Sequence, residues 1–195
     1  MRFDSVEHVT SWKETGVFPL IHTAFASFVA ARAQGRRVLD LCCNQGLLGE
    51  QLMARVRGLR AFGIDDDATA VRRGLDAGVH TTFKILHIDP STYDELALFM
   101  RRNVVDVVVA RRCLPELLDP VMWSAGDFAQ ALRDGGAAEV FLQGRVPTPT
   151  PANRLHSIDQ EVAALASSFT LREKVGPMAY LVANGVEVSL SARLS

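Results

Sequence analysis

Residues Arg37–Leu52 read RVLDLCCNQGLLGEQL, and this stretch decides the fold. An apolar run around Asp40 passes into the small and polar residues Cys42, Cys43, Asn44 and Gly46, then resumes at helical spacing. That is the pattern of a buried strand, a tight loop and a helix. Such a unit aims the free amides of a helix N-terminus at a ligand.

Working outward, the pattern repeats in architecture though not in sequence. Leu59–Asp65 (LRAFGID) is a second strand ending in an acid, and Ala68–Ala77 is a helix stopped by Gly78. TTFKILHID, ending at Asp89, reads as a third strand and is followed by a helix from Thr92 to Arg102. VVDVVVA (Val104–Ala110) is a fourth strand, apolar enough to belong at the sheet centre. Asp119-Pro120 signals a helix to Arg133, and Asp134-Gly135-Gly136 turns into a fifth strand, AAEVFLQ. Strands alternating with helices at this spacing imply an α/β fold: three layers around a doubly wound, mostly parallel sheet.

The flanks differ. Asp4 or Ser5 caps a short predicted helix to Lys13, and Pro19 suits a first helical position ahead of an apolar stripe that ends at Gln34-Gly35. These form a helical cap over residues 1–35. After the core at 36–143, the Pro-rich segment Arg145–Asn153 reads as a loop, and a helix spans Arg154 to Ser167. The remainder reads as antiparallel strands FTLREKV, MAYLVA and VEVSL, with a Gly176-Pro177 turn and an Asn184-Gly185 hairpin signal. No linker or repeat divides the chain, so residues 1–195 are expected to form one domain.

Composition narrows the function. With 195 residues, 48% of them hydrophobic, the chain suffices for one substantial core, and a formal net charge of −1 gives no global basic field for nucleic acid or an anionic membrane. Three cysteines, two adjacent, form neither a disulfide framework nor zinc-ligand spacing, so no metal is expected. The N-terminus lacks a signal-peptide pattern, and the most apolar stretch, Leu20–Ala33, is broken by His22 and Arg32 well short of the ~20 residues of a membrane span. The expectation is a cytoplasmic protein.

The motif residues resemble those of class I S-adenosylmethionine-dependent methyltransferases, over roughly Arg37–Gln143. In that family an acid ends the first strand and opens a D-x-G-x-G-x-G turn whose backbone approaches the methionine part of the cofactor. The matching residues are Asp40, Cys42, Asn44 and Gly46. Two of the three glycines are replaced: Cys is small, and Asn is among the few residues that tolerate positive φ. The resemblance implies S-adenosylmethionine as cofactor and makes Asp65 the acceptor for the ribose hydroxyls, with Asp66 and Asp67 as competitors. Asp67 better suits the cap of the following helix. It also implies that Asp89 receives the adenine amine. Pro90 departs from the family, whose next backbone N–H commonly meets the adenine ring, and Asp89-Pro90 equally suits a helix-starting turn.

Chemistry would sit in the loop after the fourth strand, Ala110–Leu118, which under the resemblance faces the transferable methyl. The D/N-P-P-Y/F/W element common in amino-methylating nucleic-acid enzymes of the family is absent there, which disfavours nucleic-acid amino methylation. Arg111 or Arg112 could clamp an anionic acceptor or simply be solvated. Glu116 could be a general base or serve the helix dipole. His22, on the helix before the sheet, is a further acid–base candidate. Cys42, Cys43 and Cys113 read as packing. The sequence names no methyl acceptor and leaves the oligomeric state open. Two functions lead: a methyltransferase acting on a small molecule or an exposed macromolecular group, and a catalytically degenerate S-adenosylmethionine-binding domain serving as a partner or scaffold. A nucleotide-dependent oxidoreductase on the related Rossmann fold is a weaker third, since GxGxxG is absent.

Overall fold

The computed structural model describes residues 17–117, 125–144 and 157–187, without the side chains of 17–21, 116 and 125. Among these residues seven strands form one sheet: β1 Arg37–Leu41, β2 Arg60–Asp65, β3 Thr82–Ile85, β4 Val107–Arg111, β5 Glu139–Gln143, β6 Phe169–Val175 and β7 Met178–Ala183. The helices are α1 Val17–Ala30, α2 Leu47–Arg55, α3 Ala68–Asp76, α4 Tyr93–Asn103, α5 Leu114–Leu117, α6 Ala125–Asp134 and α7 Ile158–Ala164, with a 3-10 turn at Pro90–Thr92.

The strand order is β3-β2-β1-β4-β5-β7-β6. The first five strands pair in parallel, and β7 runs antiparallel between β5 and β6. As its run of valines predicted, β4 is central, and its residues 107–110 are buried. Alternation along the strands divides the core. Val107, Val109, Val38 and Phe141 pack with Phe25, Val29, Leu48 and Leu52 from α1 and α2. Val108, Ala110, Leu39 and Leu142 pack with Leu96, Met100, Phe128 and Leu132 from α4 and α6. Burying each such side chain contributes roughly 1.5–3 kcal/mol, so the central strands anchor the three layers. Phe141 also stacks on Tyr180, with ring centroids 4.5 Å apart, which ties β7 to β5.

Several boundaries differ from the sequence reading. β3 stops at Ile85 rather than Asp89, because its partner Asp65 is the last residue of β2; the Leu86 amide still reaches the Asp65 carbonyl at 3.1 Å, and β2 goes no further. α1 starts at Val17, ahead of Pro19, and β4 extends to Arg111, so Ala110 lies inside the strand with its methyl in the core rather than opening the loop. The Gly176-Pro177 turn joins β6 to β7, with φ 55° at Gly176. A positive-φ Gly in the first turn position is the pattern of a tight hairpin. The signal at Asn184-Gly185 does form a turn, after which Val186 and Glu187 are not in a strand. The predicted N-terminal helix, the helix start at Asp119-Pro120, the Pro-rich segment and most of VEVSL lie outside the described residues.

Candidate functional site

The loop between β1 and α2 is shaped by three left-handed residues in alternation. Cys42, Asn44 and Gly46 have φ of 55°, 51° and 74°. These are the three positions that the D-x-G-x-G-x-G pattern fills with glycine. The backbone thus takes the glycine conformation at all three, two of them without glycine, at a strain of about 1–2 kcal/mol for an ordinary side chain. Asn44 offsets part of this by accepting a hydrogen bond from the Gln45 N–H on its own side-chain oxygen, at 2.9 Å.

Close packing fixes the loop. The Cys43 amide donates to the Ile64 carbonyl on β2, and the Gly46 amide to the Cys43 carbonyl. A Cβ on Gly63 would meet Cys43 Sγ at 2.5 Å, and one on Gly74 of α3 would meet the Gln45 carbonyl oxygen at 2.5 Å. Cys43 is therefore the buried packing residue expected from the sequence. Cys42 is not: its side chain is exposed, because its left-handed backbone turns it outward.

Asp65 closes the loop from the end of β2. Its carboxylate accepts from the Asn44 N–H at 2.7 Å and from the Asp67 N–H at 2.9 Å. A carboxylate oxygen accepts more than one donor, so these bonds leave acceptor capacity at the sheet's carboxyl edge. Asp67 is the N-cap of α3, accepting from the Thr69 and Ala70 amides. Asp66 is exposed and pairs with His87 at 2.9 Å, bridging to the segment after β3.

Asp40 is buried, and desolvation pushes its pKa up to about 8, against the pull of Arg111 and with a push from Asp65. Near neutral pH it is largely protonated, a donor rather than a charge. Burial, and then the like charge of Arg112, lower the pKa of Arg111. Asp89 caps the 3-10 turn, its Oδ1 accepting from the Ser91 amide at 2.8 Å and the Ser91 hydroxyl at 2.6 Å, with Pro90 at the first position. Its carboxyl is held below the ordinary range chiefly by the Ser91 hydroxyl. The helix-starting geometry of Asp89-Pro90 is thus realised.

The catalytic candidates divide. His22 is buried on α1, one turn ahead of core residue Phe25, and so belongs to the helix that covers the Asp40 face of the sheet. Arg112 follows β4 with a left-handed φ of 62° and donates its amide to the Gln143 carbonyl at 2.7 Å. Glu116 lies on α5, its side chain outside the described residues. Cys113 is buried, with its Sγ 3.4 Å from the Leu41 carbonyl. Among the described residues no group of three His, Cys, Asp or Glu could hold a metal ion, and no helix is long and apolar enough to cross a membrane.

The fold recurs in solved structures. A protein of echinomycin biosynthesis, described with the conversion of a disulfide bond into a thioacetal group, matches with a TM-score of 0.59 at 16% identity, over 82% of this chain and 80% of that one. Magnesium protoporphyrin IX methyltransferase from Synechocystis PCC 6803, with bound SAM, gives 0.57 at 15% identity, over 84% and 80%. An O-methyltransferase family protein from Burkholderia thailandensis gives 0.55 at 16% identity, over 84% of this chain and 55% of that one.

The fold is that of the class I methyltransferases. No family model matches the sequence, and no curated protein matches it. Within the methyltransferase fold, the motif loop, Asp65 and the segment around Asp89 stand along the carboxyl edges of β1, β2 and β3, while Arg111, Arg112 and Gln143 end β4 and β5. The sequence reading missed Gln143. The signal was present as a polar residue closing a strand whose every position is buried.

Proposed function

We propose that this chain binds S-adenosylmethionine and transfers its methyl group to an acceptor at the carboxyl ends of β4 and β5. The observation that carries the reading is the left-handed alternation at Cys42, Asn44 and Gly46, pinned by Asp65. Keeping glycine geometry where two glycines are missing is strain that an ordinary connecting loop has no reason to hold. The cofactor fits this cradle chemically. The loop's left-handed turns are those of a glycine-built cradle, and an acceptor-only carboxylate stands at the next strand end, suited to a cis diol.

In this reading Asp40, Cys42, Asn44 and Gly46 hold the methionine part, Asp65 takes the ribose hydroxyls with Asp66 flanking, and Asp89 lies toward the adenine. Ala110, the last residue but one of β4, backs the site through its main chain. Bound there, the cofactor supplies an electrophilic methyl on a positively charged sulfur. The chain's own work is to place an acceptor lone pair in line with that carbon and exclude water, worth several orders of magnitude in rate. Arg112, Glu116 and His22 are the candidates to orient the acceptor or take its proton as the new bond forms and the carbon–sulfur bond breaks. The acceptor is an unidentified small molecule or exposed group. The net charge of −1 speaks against nucleic acid, and the free cysteines Cys42, Cys43 and Cys113 fit a reducing, cytoplasmic site. Residues 1–195 act as one methyltransferase-like domain in this account.

The test is a titration of purified protein with S-adenosylmethionine alongside Asp65→Ala. Binding weakened at least about tenfold in the variant supports the cradle, since a charge-assisted hydrogen bond carries that much. Equal affinity in the two proteins refutes the ribose assignment. Release of S-adenosylhomocysteine in the presence of cell-extract fractions separates a turning-over enzyme from a binding scaffold.

A further inference from the structure

The carboxyl end of β5 carries a polar group for which the cofactor cradle has no use. Gln143 is the last residue of β5 and only 9% exposed. Its side-chain oxygen is buried and accepts no hydrogen bond among the described residues. Buried acceptors in native proteins are nearly always satisfied, so an orphan at a functional edge needs an explanation.

Its surroundings indicate what is missing. Gln143 is the register partner of Arg111 on β4 and of Met178 on β7, so the three side chains leave the sheet on one face. By alternation Asp40 shares that face, which α1 covers with His22 buried one turn before Phe25. Arg111 has only donors, and protonated Asp40 can donate as well. The Gln143 oxygen is an acceptor whose register neighbour Arg111 carries only donors, and it takes no hydrogen bond from it. Ligands of doubly wound sheets bind beyond these strand ends.

We infer that Gln143 is a specificity residue whose carboxamide oxygen accepts a hydrogen bond from the substrate, making the acceptor a molecule with a free hydroxyl or amine N–H. The term acceptor rests on the methyltransferase reading, whereas the donor-selective site does not. A site built to accept such a bond rejects analogues lacking the donor, because binding them leaves the oxygen unpaired.

The experiment titrates phenol, aniline, anisole and N,N-dimethylaniline into the full chain with saturating S-adenosylhomocysteine, by ligand-observed NMR, in the wild type, Gln143→Leu and Gln143→Met. Phenol and aniline should bind the wild type about tenfold more tightly than their methylated counterparts, and both variants should reduce that preference to within about twofold. Neither substitution should lower the melting temperature of the ligand-free protein, since each removes an unsatisfied buried oxygen. No detectable phenol or aniline binding, equal affinity for methylated probes, or a preference surviving in the variants overturns the inference. A lowered melting temperature in both variants also overturns it, by showing that the oxygen is satisfied in the free protein. Repeating the titration without S-adenosylhomocysteine separates the two readings. Donor preference in a chain that does not bind S-adenosylhomocysteine sinks the methyltransferase reading alone, and S-adenosylhomocysteine binding without donor preference sinks only the Gln143 assignment.

Discussion

Asp65 holds the backbone of Asn44: its Oδ2 accepts the Asn44 amide at 2.7 Å, while its Oδ1 takes the Asp67 amide at 2.9 Å. One carboxylate at the end of β2 thereby fixes both the left-handed middle of the motif loop and the entry to α3. Asp65→Asn keeps the shape but discards the charge that strengthens both bonds. It should lower unfolding free energy by about 1–2 kcal/mol in urea titrations, and an unchanged midpoint would show that the loop holds its conformation without Asp65.

Cys42 carries the clearest backbone strain in the loop, with φ 55° and no hydrogen-bonding amide side chain to ease it. Cys42→Gly should raise stability by about 1 kcal/mol and move the melting temperature up by a few degrees. Cys42→Val should do the opposite, because a branched side chain at positive φ is more strained still. Equal melting temperatures for the two variants would contradict the left-handed assignment.

Gly74 tests how closely α3 abuts the motif loop. At a free position within a helix, Gly→Ala stabilises by roughly 0.5–1 kcal/mol. Here the added Cβ would stand 2.5 Å from the Gln45 carbonyl oxygen, which is backbone and cannot swing aside. Overpacking wins, so Gly74→Ala should cost about 1–3 kcal/mol and weaken S-adenosylmethionine binding with it. Stabilisation on calorimetry would mean that α3 sits farther from the loop.

Asp40 gives the protein a pH signature. In the unfolded chain its proton leaves near the ordinary value of 3.8, whereas in the folded protein it is kept until about 8. Between those limits the folded state binds more protons, so this group's contribution to stability falls as pH rises and levels off above the folded value. Asp40→Asn removes that slope. Relative to wild type, the variant should gain at least about 1.4 kcal/mol in urea stability between about pH 5 and about pH 9. Parallel profiles for the two proteins would show that Asp40 ionises normally.

The shape of the motif loop was legible because its signal is local. Asp40 and Gly46 mark the ends of the pattern that the sequence resembles, and Asn44 is among the few residues that suit the positive φ it adopts. Asp67 was likewise readable as a cap, since capping depends on the next three residues. What failed depends on partners. LHID looks like more strand after TFKI, but β2 ends at Asp65, whose carbonyl takes the Leu86 amide and leaves His87 onward without a β2 residue to pair with. Both turn signals near the C-terminus are realised as turns: Val175 and Met178 pair across Gly176-Pro177 while β7 inserts beside β5, and most of the strand expected after Asn184-Gly185 lies outside the described residues. Gln143 is the extreme case. That its buried oxygen finds no donor among the described residues is a property of the assembled sheet, of which the sequence shows only a polar residue ending an apolar run.

Calorimetric titration of the full chain with S-adenosylhomocysteine tests the central claim most directly, because it needs no knowledge of the acceptor. The account predicts saturable one-to-one binding in the wild type, weakened at least about tenfold by Asp65→Ala in a protein that remains folded. Absence of binding at millimolar ligand, or the same affinity in the folded variant, would contradict it.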